Sequence, residues 1–218
     1  MSMDNQEWEI DNLPNRLTIF RVLLIPFIVG SLFLLTLDLP WVKEWSKFLG
    51  YTAAWTFVAA SITDFFDGYI ARKRKIVTVF GSFLDPVADK FLVISSLILL
   101  ENLARIPVLV VLILVMRELY ITSLRLLAMD RGLSVPVGQM GKWKTATQMV
   151  AIPLLMANDT PWPWLPMPLI GTVCIYLASA FSVYSAVEYS LGLLVKLKKK
   201  RNEAREARRL LKEKATHE

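Results

Sequence analysis

The chain has almost none of the side chains from which many sites are built. In 218 residues there is one cysteine, Cys174, and one histidine, His217. A single cysteine excludes an intramolecular disulfide, and its apolar surroundings predict an inert buried thiol. His217 stands next to the C-terminus and is given no role. There is no CxxC, HExxH or GxxxxGK[ST] pattern, which removes the zinc and P-loop classes that those patterns mark. The first fifteen residues, MSMDNQEWEIDNLPN, lack the basic n-region and small-residue cleavage site of a signal peptide. The first apolar run is therefore expected to be retained as a membrane helix. No internal repeat is evident.

What remains is apolar and basic. Hydrophobic residues make up 55% of the chain and the mean hydropathy is +0.46, values that fit a polytopic membrane protein rather than a soluble domain. The formal net charge is +6. In such a chain, basic residues report topology and contact with anionic lipid, and no nucleic-acid partner is implied.

The expected fold class is all-α, a bundle of six transmembrane helices. The helices fall at about 17–37, 47–72, 82–101, 106–128, 142–157 and 165–193, with spans near the ~20 residues a bilayer core requires. A kink is expected at Pro26. Arg72, Lys73, Arg74 and Lys75 lie in the second connection, Arg131, Lys142 and Lys144 beside the fourth, and KLKKKR after the last helix. The other connections hold few cations, so both termini are expected in the cytoplasm. Trp162 and Trp164 fit an aromatic belt on the opposite side. The expected organisation is a cytoplasmic segment at 1–15, a membrane domain at 16–195 and a basic cytoplasmic tail at 196–218, the tail forming a solvated or membrane-surface helix.

Four aspartates concentrate in DFFDGYIARKRKIVTVFGSFLDPVADK, residues 64–90. Asp64 and Asp67 are three apart and Asp85 and Asp89 four apart, so each pair shares one face of a helix. A short basic loop makes the two helices antiparallel neighbours, so the faces can meet. Two carboxylates about 4 Å apart repel by about 4 kcal/mol at an effective dielectric of about 20. Some must protonate or a cation must sit among them. Hard oxygen ligands select Mg²⁺, Mn²⁺ or Ca²⁺, and four carboxylates suffice for two ions, the clamp used in phosphoryl displacement. Gly68, Ala71 and Gly81 offer close approach, and Arg72 offers a planar fork for phosphate oxygens. Each element has a plainer alternative. Asp85-Pro86 can be an N-cap and N1 proline, Gly68 and Ala71 a helix crossing, and Arg72 to Lys75 topology residues. Four ionisable groups together in membrane helices nonetheless point to function.

The spacing Asp64-x2-Asp67-Gly68-x2-Ala71-Arg72-x8-Gly81-x3-Asp85-x3-Asp89 resembles the signature of the CDP-alcohol phosphatidyltransferases, with all eight fixed positions present. The resemblance implies transfer of a phosphatidyl group from a CDP-linked lipid to an alcohol, with release of CMP. It implies that Asp64, Asp67, Asp85 and Asp89 bind two divalent metal ions, Mg or Mn, with Asp89 also the general base. Gly68, Ala71, Arg72, Thr78 and Gly81 would line the CDP-diacylglycerol slot, and Asn15, Thr18 and Arg21 would help bind the nucleotide end.

NLPNRLTIFRVLLIPF at 12–27, MRELYITSLRLLAMDRG at 116–132 and GKWKTATQM at 141–149 resemble the phosphatidylglycerophosphate synthase branch. That branch uses glycerol 3-phosphate, whose dianionic phosphate needs cations. Arg117, Arg125, Lys142 and Lys144 are the candidates. The alternatives are that Arg117 pairs with a nearby acid or snorkels, and that Lys142 and Lys144 are loop charges. The resemblance also implies a bacterial-type inner membrane, an active site on the cytoplasmic side and, as is frequent in the family, a homodimer. Serine, inositol or phosphatidylglycerol as acceptor is the nearest competing expectation. A cation transporter is a more distant one, disfavoured by the basic loop at the aspartates. A non-enzymatic scaffold leaves the aspartates unexplained.

Overall fold

The computed structural model describes the fold at residues 13–37, 39–74, 79–133, 136, 138–162 and 164–217, with side chains described over 18–37, 39–63, 86–133, 136, 138–162, 164–203 and 205–206. Within that range the regular structure is all helix, joined by short loops, with no strand. The helices are α1 (Leu13–Thr36), α2 (Pro40–Glu44), α3 (Ser46–Arg74), α4 (Val79–Asn102), α5 (Val108–Asp130), α6 (Gln139–Ala157) and α7 (Met167–His217). Two segments, Thr18–Thr36 and Met167–Glu203, are long and apolar enough to cross a membrane.

Two differences from the sequence expectation stand out. The five-residue α2 was not foreseen; a proline at its start sets it off from α1. Pro86 lies inside α4, which begins at Val79. The alternative in which Asp85 caps this helix and Pro86 opens it is therefore overturned, because the helix starts about two turns earlier.

The chain divides into two compact units. One comprises Met1–Val111 and Ala146–Leu177, the other Leu112–Thr145 and Ala178–Glu218. In the first unit α1 packs against α3 and α4. The buried positions are often small, such as Ala53, Ala54, Ala60 and Ala151, while large apolar side chains such as Leu23, Trp55, Phe91 and Leu109 face outward. Small residues inside and large apolar residues outside are how helices pack when the surroundings are lipid. Hydroxyls are absorbed locally: those of Ser31, Thr52, Thr56, Ser61, Thr63 and Ser96 donate to the carbonyl four residues back.

The C-terminal end of α6 is tied to the rest of the first unit. Asn158 adopts φ 46° and its N–H reaches Leu154 O, closing the helix. Arg105 Nη1 donates to Leu155 O at 2.8 Å and Met156 O at 2.7 Å, satisfying last-turn carbonyls that have no intrahelical donor. Gly50 of α3 lies so close that a Cβ there would stand 2.7 Å from Met156 O. Asp159 accepts from Tyr51 at 3.1 Å and pairs with Lys47 at 3.0 Å. The Lys47 ammonium holds the Asp159 carboxyl below the usual carboxylate range. In the loop that follows, Trp162 and Trp164 stack with centroids 5.6 Å apart.

In the second unit Ile121 and Ala128 of α5 and Tyr189 and Leu193 of α7 form a buried cluster. The α7 helix continues without a break through the basic tail, for 51 residues in all.

Candidate active site

The four aspartates belong to the first unit, on helices with well-defined buried stripes. On α3 the stripe is Ala53, Phe57 and Ala60, all 0% exposed. Steps of four and three carry that stripe on to positions 64, 67 and 71. On α4 it is Ser96 and Leu92, and the same steps run back to positions 89 and 85. Each aspartate pair therefore keeps helical register, 64 with 67 on α3 and 85 with 89 on α4, and the two helices pack against a common partner, α1. Asp89 is half-buried. The side chains of Asp64, Asp67, Gly68, Ala71, Arg72, Gly81 and Asp85 lie outside the described residues, as do that of Asn15 and the whole of Thr78.

The buried stripe of α1 is Thr18, Arg21, Ile28 and Leu32. Its N-terminal part is polar although Thr18 is 3% and Arg21 0% exposed. An arginine and a threonine on the buried face of the helix that contacts both aspartate-bearing helices make a charge environment suited to a phosphorylated ligand.

The second unit holds a separate polar cluster. Lys144 Nζ of α6 donates to Glu118 Oε2 of α5 at 2.8 Å, and Arg117 Nη1 donates to the same oxygen at 3.2 Å. Arg117 Nη2 donates to Ser185 Oγ of α7 at 2.9 Å, and Ser185 Oγ in turn donates to Ser182 O at 3.1 Å. The side chains of Arg117 and Lys144 are 9% and 5% exposed. Among the described residues, two cations share one carboxylate here. Arg117 Nε and Ser182 Oγ are buried without a hydrogen-bond partner. Unmet buried donors of this kind cost about 1–3 kcal/mol each. A small oxyanion has the lone pairs to accept from both.

Of the four cations expected to take a phosphate, the structure brings together Arg117 and Lys144. Arg125 and Lys142 are exposed and stand outside this cluster. Arg117 does pair with an acid, its neighbour Glu118, but that acid is shared with Lys144. Glu118, Ser182 and Ser185 were missed in the sequence. Glu118 had a readable signal, a second ionisable residue in an apolar run. The serines had none beyond their three-residue spacing.

The sequence profile of the CDP-alcohol phosphatidyltransferases matches residues 11–184. A CDP-diacylglycerol–glycerol-3-phosphate 3-phosphatidyltransferase of Bacillus subtilis (strain 168) is 35% identical over 187 residues, covering 82% of this chain and 93% of that protein. One of the same name from Rickettsia typhi is 38% identical over 181 residues, covering 82% and 94%. In Arabidopsis thaliana the relative named as number 2 of this type is 36% identical over 197 residues, covering 83% and 79%. The eight-position signature on α3 and α4, the near-full-length identity to these relatives and a profile match spanning most of the sequence lead to one assignment: the chain belongs to the CDP-alcohol phosphatidyltransferase family.

Proposed function

We propose that the protein transfers the phosphatidyl group of CDP-diacylglycerol to glycerol 3-phosphate, giving phosphatidylglycerophosphate and CMP. The observation that carries the choice of acceptor is the near-full-length identity, 35–38%, to bacterial and plant proteins named for that reaction.

In the reaction the acceptor hydroxyl oxygen bonds to the phosphatidyl phosphorus, the P–O bond to CMP breaks, and the hydroxyl proton passes to the Asp89 carboxylate. A carboxylate is a weak base in water, so it acts here through position beside the hydroxyl. Asp64, Asp67, Asp85 and Asp89 fit divalent metal: they are four hard oxygen donors, paired at helical spacing on two helices that share a partner. When bound, two Mg²⁺ or Mn²⁺ ions supply positive charge to the diphosphate and the departing CMP. Gly68, Ala71 and Gly81 leave room for the CDP group, Arg72 and Thr78 hold its oxygens, and Asn15, Thr18 and Arg21 serve the nucleotide end. Arg117 and Lys144 take the acceptor's phosphate, with Ser182 and Ser185 as added hydrogen-bonding groups and Arg125 and Lys142 as outer attracting charges.

The same reading takes α1, α3, α4, α5, α6 and α7 as six membrane spans, with both termini and the aspartates on the cytoplasmic side of a bacterial-type inner membrane. The outward-facing apolar side chains support it. So does the crowding of Arg and Lys at one set of helix ends. A homodimer is in keeping with the family.

Acceptor competition tests the reading. Labelled glycerol 3-phosphate is expected to enter lipid, and a hundredfold excess of unlabelled serine, inositol or phosphatidylglycerol is expected to leave that incorporation intact. Suppression by one of these, with its own incorporation, would keep the aspartate site and replace the acceptor.

A further inference from the structure

A groove of about 710 Å³ opens in the second unit where the end of α5 meets α7. It uses none of the residues assigned to phosphatidyl transfer. Its floor is apolar, from Leu127, Leu194 and Leu197, and its rim is cationic, from Arg131, Lys198, Lys200 and Arg201. Backbone geometry holds the α5 side in place. Gly132 adopts φ 62°, its N–H bonds Met129 O at 2.9 Å, and the Leu133 N–H bonds Ala128 O at 2.8 Å, a closed helix end. Lys200 Nζ donates to the Arg131 carbonyl, tying α7 to that end.

The charge of the groove is barely compensated. Asp130 approaches Arg131 at 3.7 Å, while Glu203 pairs with Lys199, which does not line the groove. Among the described residues, four cations therefore face one carboxylate at the edge. Leu194, at 60% exposed, and Leu127, at 42%, remain uncovered. The groove also lies where α7 changes character, from LGLLV at 191–195 to KLKKKR at 196–201. That is the level of a membrane–water interface for a helix that crosses a bilayer. A free anion would satisfy the rim and leave the leucines bare. A lipid with a net negative headgroup satisfies both at once, its phosphate among the cations and its chains along the floor.

We infer that this groove binds an anionic phospholipid of the surrounding leaflet as a bound lipid distinct from the substrate. The inference rests on α7 being a membrane helix and is independent of the transfer reaction. The test is native mass spectrometry of the purified full chain. Detergent would carry equal amounts of dioleoyl phosphatidylglycerol and dioleoyl phosphatidylcholine, without metal or CDP-diacylglycerol. The wild type is expected to retain phosphatidylglycerol preferentially. Lys198→Gln/Arg201→Gln is expected to reduce that preference roughly tenfold or more. Lys199→Gln/Arg205→Gln, which removes equal charge outside the groove, is expected to leave it within about twofold.

Equal retention of the two lipids by the wild type would overturn the proposal. An equal loss in both double variants would replace the groove with diffuse surface charge. A preference that survives Lys198→Gln/Arg201→Gln but disappears in Asp89→Asn would place the lipid in the transfer site. Because retention is read without substrates, a failure of the transfer reading would leave this result standing, and the reverse also holds.

Discussion

Lys142 and Lys144 differ by two positions and by nearly everything else. Lys144 is buried against Glu118 at 2.8 Å, whereas Lys142 is exposed. If Arg117 and Lys144 hold the acceptor's phosphate, Lys144→Met removes a charge-assisted hydrogen bond. Such a bond contributes about 1.5–3 kcal/mol. The KM for glycerol 3-phosphate is then expected to rise about tenfold or more, with Lys142→Gln changing it less than about threefold. A lower melting midpoint with an unchanged KM would assign Lys144 to structure alone. From sequence these lysines could not be told apart. Distinguishing them needs the phase of α6, which starts at Gln139 rather than near residue 142. Glu118, Ser185 and Lys144 come from three different helices and meet only through tertiary packing.

Two glycines on neighbouring helices illustrate how packing, not residue type, sets the outcome. A Cβ at Gly50 would meet the Met156 carbonyl oxygen at 2.7 Å, and backbone at a helix end cannot move aside easily. At Gly30 a Cβ would meet nothing within 4 Å. Gly50→Ala is therefore expected to destabilise by about 1–3 kcal/mol through overpacking. Gly30→Ala is expected to be neutral or to gain up to about 1 kcal/mol of helix propensity. Melting midpoints of both variants in one detergent check the contrast, which reverses if α3 and α6 do not meet at Gly50.

Helix ends behave in the same way. Ala104 takes φ 54° after α4, where its N–H bonds Glu101 O and the Arg105 N–H bonds Leu100 O. Glycine is the residue suited to that conformation. Ala104→Gly is expected to stabilise by up to about 1 kcal/mol, seen as a raised midpoint. A lowered midpoint would show that the methyl group has a packing role.

The elements were legible where apolar runs are long, because burial in lipid requires helices of a known length. They were less legible where a local signal misleads. Asp85-Pro86 carries the mark of a helix start, yet the proline sits inside α4, as membrane helices tolerate. The change of charge after Val195 marks no break in α7. The tail is rich in Ala, Glu, Lys, Arg and Leu, all strong helix formers, and propagation costs little once a helix exists.

For the whole molecule, the aspartate signature was the most readable feature. Its eight fixed positions depend on helical spacing, and α3 and α4 supply that spacing. The cluster of Arg117, Glu118, Lys144 and Ser185 was less readable, because groups drawn from three helices leave only scattered polar residues in the sequence. The proposed reaction joins the two: metal-dependent transfer from CDP-diacylglycerol to glycerol 3-phosphate, with Asp89 taking the proton. The most direct test is CMP release by the purified protein and by Asp89→Asn, with CDP-diacylglycerol, with and without Mg²⁺ or Mn²⁺ and with and without glycerol 3-phosphate. Release is expected only when metal and glycerol 3-phosphate are both present, and none is expected from Asp89→Asn although it still binds the CDP-lipid. Release from Asp89→Asn near the wild-type rate, or from folded wild-type protein without metal or acceptor, would contradict the proposed reaction.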